Sequence, residues 1–561
     1  MASIARFAAL ALGLVAGDAA AQAASSPGTP IAPHPTINNI AIDWPLSGDD
    51  DADGIVSLRF RALGAPAWRT GMPLRRVPAG TNAEAGFSWP NRHAGSVFDL
   101  QPATTYEIEL TLDDPDGGST QRTLQATTRA IPTVGSLGAL RLATPATLAG
   151  LLSAANPGDI LQLGSGNYAG FQIARDGSPG EPITIRGTPG AAVNGGIDMF
   201  GRHDIRVENL AINGRVRFNN TRNFALVGCT ITATTAFAGD AVVAFLPSED
   251  AYIADNIITG LTVWNEPALG ADGDNLGEGV AVTGPGHVIA RNRVRGFRDG
   301  LSLLEGSGAV DQYSIDFIDN VVSEAADDGV EADFCFHNCR VMRNRFTNVF
   351  IAMSSQPGLG GPTYFIRNAA YNVVHVPFKL YRGSVGDVVL HNTIVKNGDP
   401  LNAYPSRPIA RALFRNNLLL GGPDGIYNFY ESGSGRITDL GTLETANSSL
   451  DYDGYGTTLA TFTGRIGAVT YNSFAQLTML TSEVHARQVG YDVFAQPVAF
   501  PATPLLTYSP VDLSLAAGGA AVDAGVVIPN INDGFAGSAP DLGAFEVASA
   551  GEVPLFANGF E

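Results

Sequence analysis

Short runs of alternating apolar and polar positions fill residues 38–130, separated by clusters of turn-forming residues. Two such clusters, "SGDDDADG" and "DDPDGG", are typical of tight connections between strands. Because successive side chains of a strand face opposite sides, this alternation gives each strand one buried and one exposed face. The region is therefore predicted to be a small β-sandwich, preceded by a Pro-, Ser- and Gly-rich linker at residues 24–37.

A second pattern begins near residue 140, where short apolar strands recur without helical periodicity. The polar turns carry asparagines 24 residues apart, at Asn320, Asn344, Asn368, Asn392 and Asn416, with more loosely spaced copies at Asn209, Asn256 and Asn292. A repeat of this length with two or three strands predicts one coil of a right-handed parallel β-helix, and the fixed leucine frame of leucine-rich repeats is absent. Coils stack about 4.8 Å apart, so equivalent asparagines are expected to form a hydrogen-bonded ladder.

The ends of this repeat region fit the same architecture. Residues 146–156, "ATLAGLLSAAN", read as an amphipathic helix that would cover the open edge of the first coil. Residues 512–546 have the composition of a closing segment. The predicted fold is all-β: a small sandwich followed by a right-handed parallel β-helix over residues 140–546, with a C-terminal tail at residues 547–561.

The first residues indicate export. Residues 1–23 combine one early charge, an apolar run and an Ala-x-Ala site, which is the plan of a secretory signal peptide. No other stretch offers about 18 consecutive apolar residues, so no transmembrane segment is expected. We expect a secreted monomer, extracellular, periplasmic or associated with the cell surface. The net charge of −20 argues against nucleic acid as a partner.

Three cysteines are too few for a disulfide framework. Cys335 and Cys339, in "CFHNC", are close enough to form a disulfide across a turn, although a free or metal-bound pair is the alternative. Cys229 lies in an apolar stretch and is expected in the core.

The segment "ADDGVEADF" concentrates negative charge where a strand is predicted. Asp327, Asp328, Glu331 and Asp333 fall within seven positions. Like charges side by side destabilise a strand unless a cation, a proton or a basic partner compensates them. The segment is therefore a candidate functional site.

Stacking the coils places a lysine on the same outer face as these acids. The strands "GLSLLE", "GVEADF", "IAMSSQ" and "PFKLYR" align so that one column faces the core, Leu301, Val330, Met353 and Phe378, and one faces outward, Ser302, Glu331, Ser354 and Lys379. A further outward column holds Leu304, Asp333, Gln356 and Tyr381. Only two of the 34 Lys and Arg residues are lysines. Because a lysine can lose its proton in a suitable environment and an arginine hardly can, Lys379 is a candidate base.

A basic column precedes the ladder. It consists of Arg343, Arg367, His391 and Arg415, each predicted directly before a ladder asparagine. Stacked cationic groups need anions, so these residues either neutralise neighbouring acids or line a groove for an anionic polymer.

Two family resemblances follow from these motifs. The segment "FDLQPATTYEIELTLDDPDG", with Leu100, Pro102, Thr105 and Tyr106 and an upstream Trp68, resembles a fibronectin type III domain. The repeat region resembles secreted β-helix polysaccharide lyases, such as the calcium-dependent pectate, alginate and chondroitin lyases, although the Trp-Ile-Asp-His segment of pectate lyases is absent. The first resemblance implies a module that spaces or docks a catalytic domain.

The second resemblance implies a pectate-lyase-like fold and β-elimination on a uronate-containing, anionic polysaccharide. In that reaction a cation neutralises the uronate carboxylate and a basic side chain removes the adjacent proton. It implies Ca²⁺ held by Asp328, Glu331 and Asp333, with Lys379, Arg382 and Glu331 as catalytic residues. The polymer would be bound by Arg343, Arg367, Tyr381, Gln356 and His391.

Two alternatives remain. Asp327-Asp328 is similar to the adjacent aspartates of β-helix polygalacturonases, and paired carboxylates that admit a water molecule hydrolyse glycosides with inversion. The Gly-His-Gly and Arg-Ile-Lys segments of those enzymes are absent, however. The other alternative is a non-enzymatic surface or carbohydrate-binding protein stabilised by calcium.

Overall fold

The computed structural model describes residues 22–403 and 407–547 of the chain. The predicted signal peptide and C-terminal tail therefore lie almost entirely outside the described residues. Within these ranges two stretches are α-helical, Leu148–Ser153 and Phe474–Leu480. The rest is built from strands and their connections. No helix in the described part of the chain is long and apolar enough to cross a bilayer.

The region predicted to be a β-sandwich forms one antiparallel sheet of seven strands around one shared apolar core, and we call this region the sandwich. Its spatial order is Ser26–Pro27, Ile40–Ser47, Arg92–Val97, Arg69–Val77, Ile55–Ala62, Thr105–Asp113 and Thr120–Thr127, and a separate hairpin pairs Gly80–Asn82 with Phe87–Trp89. Ser26–Pro27 belongs to the predicted linker, which therefore joins the sheet instead of hanging free. The Tyr106 hydroxyl accepts a hydrogen bond from the backbone N–H of Gln101 at 2.9 Å. The fibronectin type III resemblance stays a prediction.

Two long parallel sheets make up the repeat region, so the predicted parallel β-helix is confirmed. The first has thirteen strands: Leu140–Ala143, Ile160–Leu163, Ile183–Gly187, His203–Glu208, Arg222–Val227, Tyr252–Ala254, Val288–Ala290, Tyr313–Ile318, His337–Met342, Leu359–Ile366, Val385–Leu390, Leu413–Arg415 and Ser449–Asp451. Each strand pairs in parallel with the strand one coil away.

The second sheet has eighteen strands and carries the acidic segment. Its strands are Gly166–Gln172, Ala191–Asp198, Ala211–Asn213, Val216–Arg217, Thr230–Thr232, Val242–Val243, Ile257–Thr259, Glu278–Val282, Arg293–Phe297, Asp299–Leu303, Val321–Glu331, Arg345–Ser355, Ala369–Val373, Phe378–Leu380, Thr393–Val395, Leu418–Gly421, Gly454–Thr457 and Arg487–Gln488. Smaller pairings join Leu401–Asn402, Thr438–Leu440, Gly464–Ile466 and Val469–Tyr471, and a hairpin joins Ile426–Tyr427 to Tyr430–Glu431.

The interior of the coil is a continuous apolar stack. Inward-facing valine, isoleucine, leucine and phenylalanine side chains from successive coils are fully buried against one another, for example Val294, Val322 and Phe346. At the first coil the helix Leu148–Ser153 buries Leu148 and Leu152 in this stack. The predicted helical cap is present, and it is shorter than residues 146–156.

The asparagine ladder runs along one corner between the two sheets. Each member donates from Nδ2 to the Oδ1 atom of the next at 2.8–3.0 Å, through Asn256, Asn292, Asn320, Asn344, Asn368, Asn392 and Asn417 to Asp453. The predicted members Asn209 and Asn416 do not belong to it. Both sit one residue before the ladder position of their coil, at a left-handed backbone position with φ of 53° and 60°. The ladder position is held by Leu210 in the first of these coils and by Asn417 in the second, and Cys229 holds it in the coil between Leu210 and Asn256.

The N-terminal sheet packs directly on the thirteen-stranded sheet. Asp316 accepts hydrogen bonds from Thr36 Oγ1 at 2.5 Å, Asn39 Nδ2 at 2.9 Å and Arg340 Nε at 2.5 Å. Arg340 also donates to Ser96 Oγ at 2.9 Å. Asp316 and Arg340 are fully buried, so this network fixes the sandwich to the β-helix instead of leaving it as a tethered spacer.

Candidate active site

Three acids stand one above another on consecutive coils. Glu278 pairs in register with Asp299. On the next coil Leu301 pairs with Val330, and Asp299 and Asp328 each lie two residues before these partners, so Asp328 stands next to Asp299. The backbone N–H of Asp328 donates to Asp299 Oδ1 at 2.9 Å. A glycine follows each acid, which produces the repeated pattern "EGV", "DGL" and "DGV".

The glycines let this part of the sheet close over the core. A Cβ atom on Gly300 would lie 2.6 Å from Val322 Cγ1, and one on Gly329 would lie 2.8 Å from Phe346 Cδ1. Real Cβ contacts are longer, so a larger residue would push the strand away from the core. With glycine pressed inward, the preceding acids are directed to the opposite, outer side.

Carboxylate oxygens converge here in three overlapping groups. One oxygen from each of Asp299, Asp327 and Asp328 lies within 4.8 Å of the others, and the same holds for Glu278, Asp299 and Glu331, and for Glu305, Glu331 and Asp333. We call these seven residues the acid cluster: Glu278, Glu305, Asp299, Asp327, Asp328, Glu331 and Asp333. Most of them are buried, and Asp327 and Glu331 retain slight solvent contact.

Burial and mutual repulsion keep protons on several of these acids. Burial, followed by the charge of Asp328, raises the pKa of Asp327 to about 6. Burial raises the pKa of Asp333 to about 7, although Lys379 opposes this. The pKa values of Asp299 and Glu331 are raised well above the ordinary range by burial and by neighbouring carboxylates. Several carboxyl groups of the cluster therefore keep their protons to a higher pH than an exposed acid does.

Lys379 supplies the compensating positive charge. It lies on the outer column predicted from the sequence, because Ser302 pairs with Glu331, Glu331 with Ser354, and Ser354 with Lys379. Its Nζ donates to Asp328 Oδ2 and lies 3.6 Å from Glu331 Oε1. The inward column of Leu301, Val330, Met353 and Phe378 is also present.

These contacts hold the lysine in its charged form. Burial alone would lower the pKa of Lys379, but the charges of Asp328, Glu331, Asp333 and Asp327 together raise it well above its ordinary value. A base must be unprotonated to accept a proton. Lys379 therefore lies at the site, but it carries a proton there. It serves as a counter-ion to the acids, whereas the sequence led us to expect an unprotonated base.

Three other predicted residues lie beside the cluster. Arg382 NH1 is 3.3 Å from Glu305 Oε2, and the Gln356 backbone N–H donates to Asp333 Oδ1 at 2.8 Å. The Tyr381 backbone N–H donates to Ser355 O at 3.2 Å, which holds Tyr381 on the next coil.

The basic column predicted to bind the polymer lies elsewhere. Arg343 pairs with Asp319 at 2.8 Å and with Asp99 of the sandwich at 2.9 Å, Arg367 donates to Ala544 O at 3.3 Å, and the buried His391 donates to Gly543 O at 3.2 Å. These side chains stand at the ladder corner, beneath the sandwich and the C-terminal segment. Arg415 is not in the column, because it pairs in register with Leu390.

The predicted calcium ligands are divided between groups. Asp328 belongs with Asp299 and Asp327 and contacts the ammonium of Lys379, whereas Glu331 and Asp333 belong with Glu305. Asp333 Oδ2 is buried without a hydrogen-bond partner. An all-oxygen group with such an atom fits a hard cation such as Ca²⁺, so Ca²⁺ stays a prediction, centred on Glu305, Glu331 and Asp333.

The two neighbouring cysteines form a disulfide, Cys335–Cys339, directly after the acid cluster. Cys229 is a free thiol in the core, where burial raises its pKa to about 12. It therefore acts as a packing residue.

Two hairpins flank the cluster at opposite ends of the acidic segment. On one side, the backbone N–H of Gly270 donates to Ala326 O at 2.8 Å, and the ring of Tyr430 packs over Gly270. This is the hairpin of residues 426–431, which His375 also fixes by donating to Glu431 O at 2.7 Å. Its tip presents Phe429, which is 96% exposed.

The second hairpin comes from the sandwich. Asn82 Nδ2 donates to Arg382 O at 2.7 Å, and Phe87 packs edge-on against Phe334 with ring centroids 5.5 Å apart. Phe334 directly follows Asp333. The acid cluster therefore lies between the hairpin of residues 80–89 and the hairpin of residues 426–431.

Sequence reasoning did not place four members in this site: Glu278, Asp299 and Glu305 of the cluster, and Arg298, whose guanidinium lies 3.3 Å from Asp299 and 3.6 Å from Asp327. The signal for Glu278 and Asp299 was the repeated acid-glycine pair, which appears when "EGVAV", "DGLSL" and "DGVEADF" are aligned.

Comparisons with known proteins give distant likenesses. No protein-family model matches the chain, and no curated protein is significantly similar to it. Among solved structures, a family 28 exopolygalacturonase of Yersinia enterocolitica is 10% identical, covering 78% of this chain and 96% of its own, with a TM-score of 0.37. The catalytic domain of a GH87 α-1,3-glucanase in complex with nigerose is 8% identical, covering 83% and 96%, with a TM-score of 0.29. At this distance the likenesses carry no conclusion about activity.

Proposed function

We propose that this protein is a glycoside hydrolase that cleaves a polysaccharide with the carboxyl groups of the acid cluster. The observation that carries the proposal is the convergence of Asp299, Asp327 and Asp328, within 4.8 Å of one another, beside the ammonium of Lys379. Glycoside hydrolysis needs one protonated and one ionised carboxyl group at the scissile bond. Asp327, with its raised pKa, is proposed for the first role and Asp328 for the second.

Asp327 is assigned as the general acid. Its pKa of about 6 leaves it protonated in mildly acidic solution, and its slight exposure would let it reach a glycosidic oxygen. A general acid works best when its pKa lies near the operating pH. Arg298, 3.6 Å away, would stabilise the carboxylate left after the proton is given up.

Asp328 is assigned as the general base that activates water, with Asp299 beside it. The Lys379 ammonium donates to its Oδ2 atom, and its Oδ1 atom is buried without a hydrogen-bond partner. That Oδ1 atom would accept a proton from a water molecule that enters past the slightly exposed Asp327. Lys379 acts as the fixed positive charge beside the base.

Elimination, the main expectation from the sequence, is less well supported. With Lys379 as the base it requires an unprotonated lysine, and Lys379 is surrounded by Asp328, Glu331, Asp333 and Asp327, whose charges raise its pKa. The arginines expected to bind a uronate polymer are engaged at the ladder corner. Hydrolysis uses the protonation states that the cluster favours, so it is the better proposal.

The two hairpins that flank the acid cluster would form the walls of a groove for a polymeric substrate. Phe429, at the tip of the hairpin of residues 426–431, offers an exposed ring for stacking on a sugar. If Ca²⁺ binds at Glu305, Glu331 and Asp333, it would neutralise an acidic sugar bound there. Export, as predicted from residues 1–23, would bring the enzyme to such polymers outside the cell.

The test is a product analysis with the purified protein on neutral and uronate-containing polysaccharides. The proposal expects new reducing ends without the ultraviolet absorbance of an unsaturated uronate, and expects Asp327→Asn to lose this activity. Products carrying an unsaturated uronate would instead establish elimination. Absence of cleavage on every polymer would favour the binding or scaffold alternative.

A further inference from the structure

A second pocket lies on the eighteen-stranded sheet, near the N-terminal end of the coil. It has a volume of about 340 Å³ and is lined by Phe171, Asp198, Arg215, Arg217 and Phe237, among others. This size is within the range of about 300–1,000 Å³ that ligand pockets span. None of these residues belongs to the acid cluster.

Glycines line the floor of the pocket and allow close packing there. A Cβ atom on Gly196 would lie 3.3 Å from Phe237 Cζ, and one on Gly170 would lie 2.7 Å from Gly196 O. Side chains at these two positions would press on the Phe237 ring and on the neighbouring backbone. The glycines therefore let the Phe237 ring pack close to the strands at the edge of the pocket.

Polar groups beside that face are held in fixed positions. The Arg217 side chain pairs with Asp198, with Nε 2.7 Å from Oδ2, and Asp198 Oδ1 accepts the backbone N–H of Phe200 at 3.1 Å. Arg215 lies over Phe237, 5.0 Å from the ring centroid, and its NH1 is 3.4 Å from Asp240 Oδ2.

This combination suits a sugar ring. A pyranose presents C–H groups on its faces and hydroxyl groups around its edge, so it needs an aromatic surface beside planar hydrogen-bonding groups. Each guanidinium carries five N–H donors and uses only some of them in the ion pairs described. Both arginines have an acidic partner, so the pocket holds no large excess of charge that would demand an anion.

The pocket lies on the outer column that leads to the acid cluster. In register, Asp198 pairs with Arg217, Arg217 with Val243, Val243 with Ala281, Ala281 with Ser302, and Ser302 with Glu331. Four coil spacings separate Arg217 from Glu331, which is about 19 Å. Val243 and Ala281 are fully buried, so the pocket is separate from the catalytic groove and is not its extension.

We infer that this pocket is a second carbohydrate-binding site, which holds a sugar ring of the polysaccharide away from the point of cleavage. The inference that the same polymer is cut rests on the proposed function; the binding itself does not. Holding one segment raises the effective concentration of the rest of the chain at the acid cluster. Short oligosaccharides that occupy only the catalytic site would not be bound or cleaved better because of this pocket.

Phe237→Ala and Arg217→Gln test the inference, with Phe200→Ala as a matched control, since Phe200 is an exposed aromatic outside the pocket lining. Binding is measured in the Asp327→Asn background by the retardation of the protein in native gels containing polygalacturonate or xylan. We expect both pocket variants to lose most of the retardation and the control to keep it.

Kinetics give a second readout. In the otherwise wild-type protein, the pocket variants should raise KM for the polymer roughly tenfold or more, with kcat and the cleavage of trisaccharides unchanged. Equal retardation of all variants, or no retardation of the parent protein by either polymer, would overturn the inference. Retardation that depends on the pocket without any cleavage would overturn the proposed hydrolase and leave the binding site standing.

Discussion

Replacing Lys379 with methionine removes the compensating charge of the acid cluster while preserving much of the side-chain volume. Lys379 is almost fully buried and contacts Asp328, whose side chain is inaccessible to solvent. Deleting one partner of a buried ion pair leaves an uncompensated charge and typically costs about 3–5 kcal/mol. We expect Lys379→Met to lose about this much unfolding free energy in mildly alkaline solution.

The loss should shrink as the pH falls. A group whose pKa is raised in the folded state stabilises the fold in its protonated form, and this contribution is lost as the pH rises through the folded pKa. Those values are about 6 for Asp327 and about 7 for Asp333. Without the ammonium they rise further, so below about pH 6 bound protons should replace much of the missing charge.

Two further variants make the test specific. Lys379→Arg keeps the charge and should retain most of the pH dependence of the parent. The double variant Lys379→Met with Asp328→Asn removes both charges, and neutral replacements of a buried pair are often tolerated. It should therefore recover much of the stability lost by the single variant in alkaline solution.

The assay is urea denaturation of all four proteins between about pH 5 and pH 8. A loss in Lys379→Met that does not vary with pH would refute the counter-ion role, because packing alone would then explain it. A double variant as unstable as the single one would refute it equally.

Three more predictions follow from the site and the ladder. Asp327→Asn should lower kcat by about 10²–10⁴-fold, and the activity of the parent should decline as the pH rises above about 6, as measured by a pH–rate profile. Asn344→Ala removes buried hydrogen bonds to Asn320 and Asn368 and should cost about 3 kcal/mol in urea unfolding, whereas a change within error would show that the ladder is not stabilising. Phe429 has a φ of 71° at a hairpin position that favours glycine, so Phe429→Gly should stabilise the fold by about 1 kcal/mol while raising KM for the polymer; an unchanged KM would remove Phe429 from the substrate site.

The architecture was predictable because it is periodic. A coil can close only if each repeat returns to the same register, so the spacing of Asn320, Asn344, Asn368 and Asn392 reports the coil length directly. The prediction failed at Asn416, because that coil holds one residue more and the ladder passes to Asn417. Spacing alone cannot show which of two adjacent asparagines belongs to the ladder.

The candidate site was predictable only in part, because its chemistry depends on contacts between coils. Alternation placed Glu331 and Lys379 on one outer face, which the strand register confirms. The contact between Lys379 and Asp328 joins residues 51 positions apart and reverses the protonation state expected for the lysine. No local pattern encodes that contact.

Long-range packing also explains the displaced arginines. Arg343 and Arg367 read as an exposed basic column when only the repeat is considered. In the structure Arg343 reaches Asp99 of the sandwich and Arg367 reaches Ala544 of the C-terminal segment. Both partners are more than a hundred residues away in sequence, beyond the range of strand periodicity.

The central claim is that the acid cluster hydrolyses a glycosidic bond, and the product of cleavage tests it most directly. Neutral and uronate-containing polysaccharides are incubated with the parent protein and with Asp327→Asn, and the chain ends released are analysed by mass spectrometry. The account predicts saturated sugars at both new ends, formed with incorporation of one solvent oxygen, and nearly none from Asp327→Asn. An unsaturated uronate at the new non-reducing end would contradict it and establish elimination.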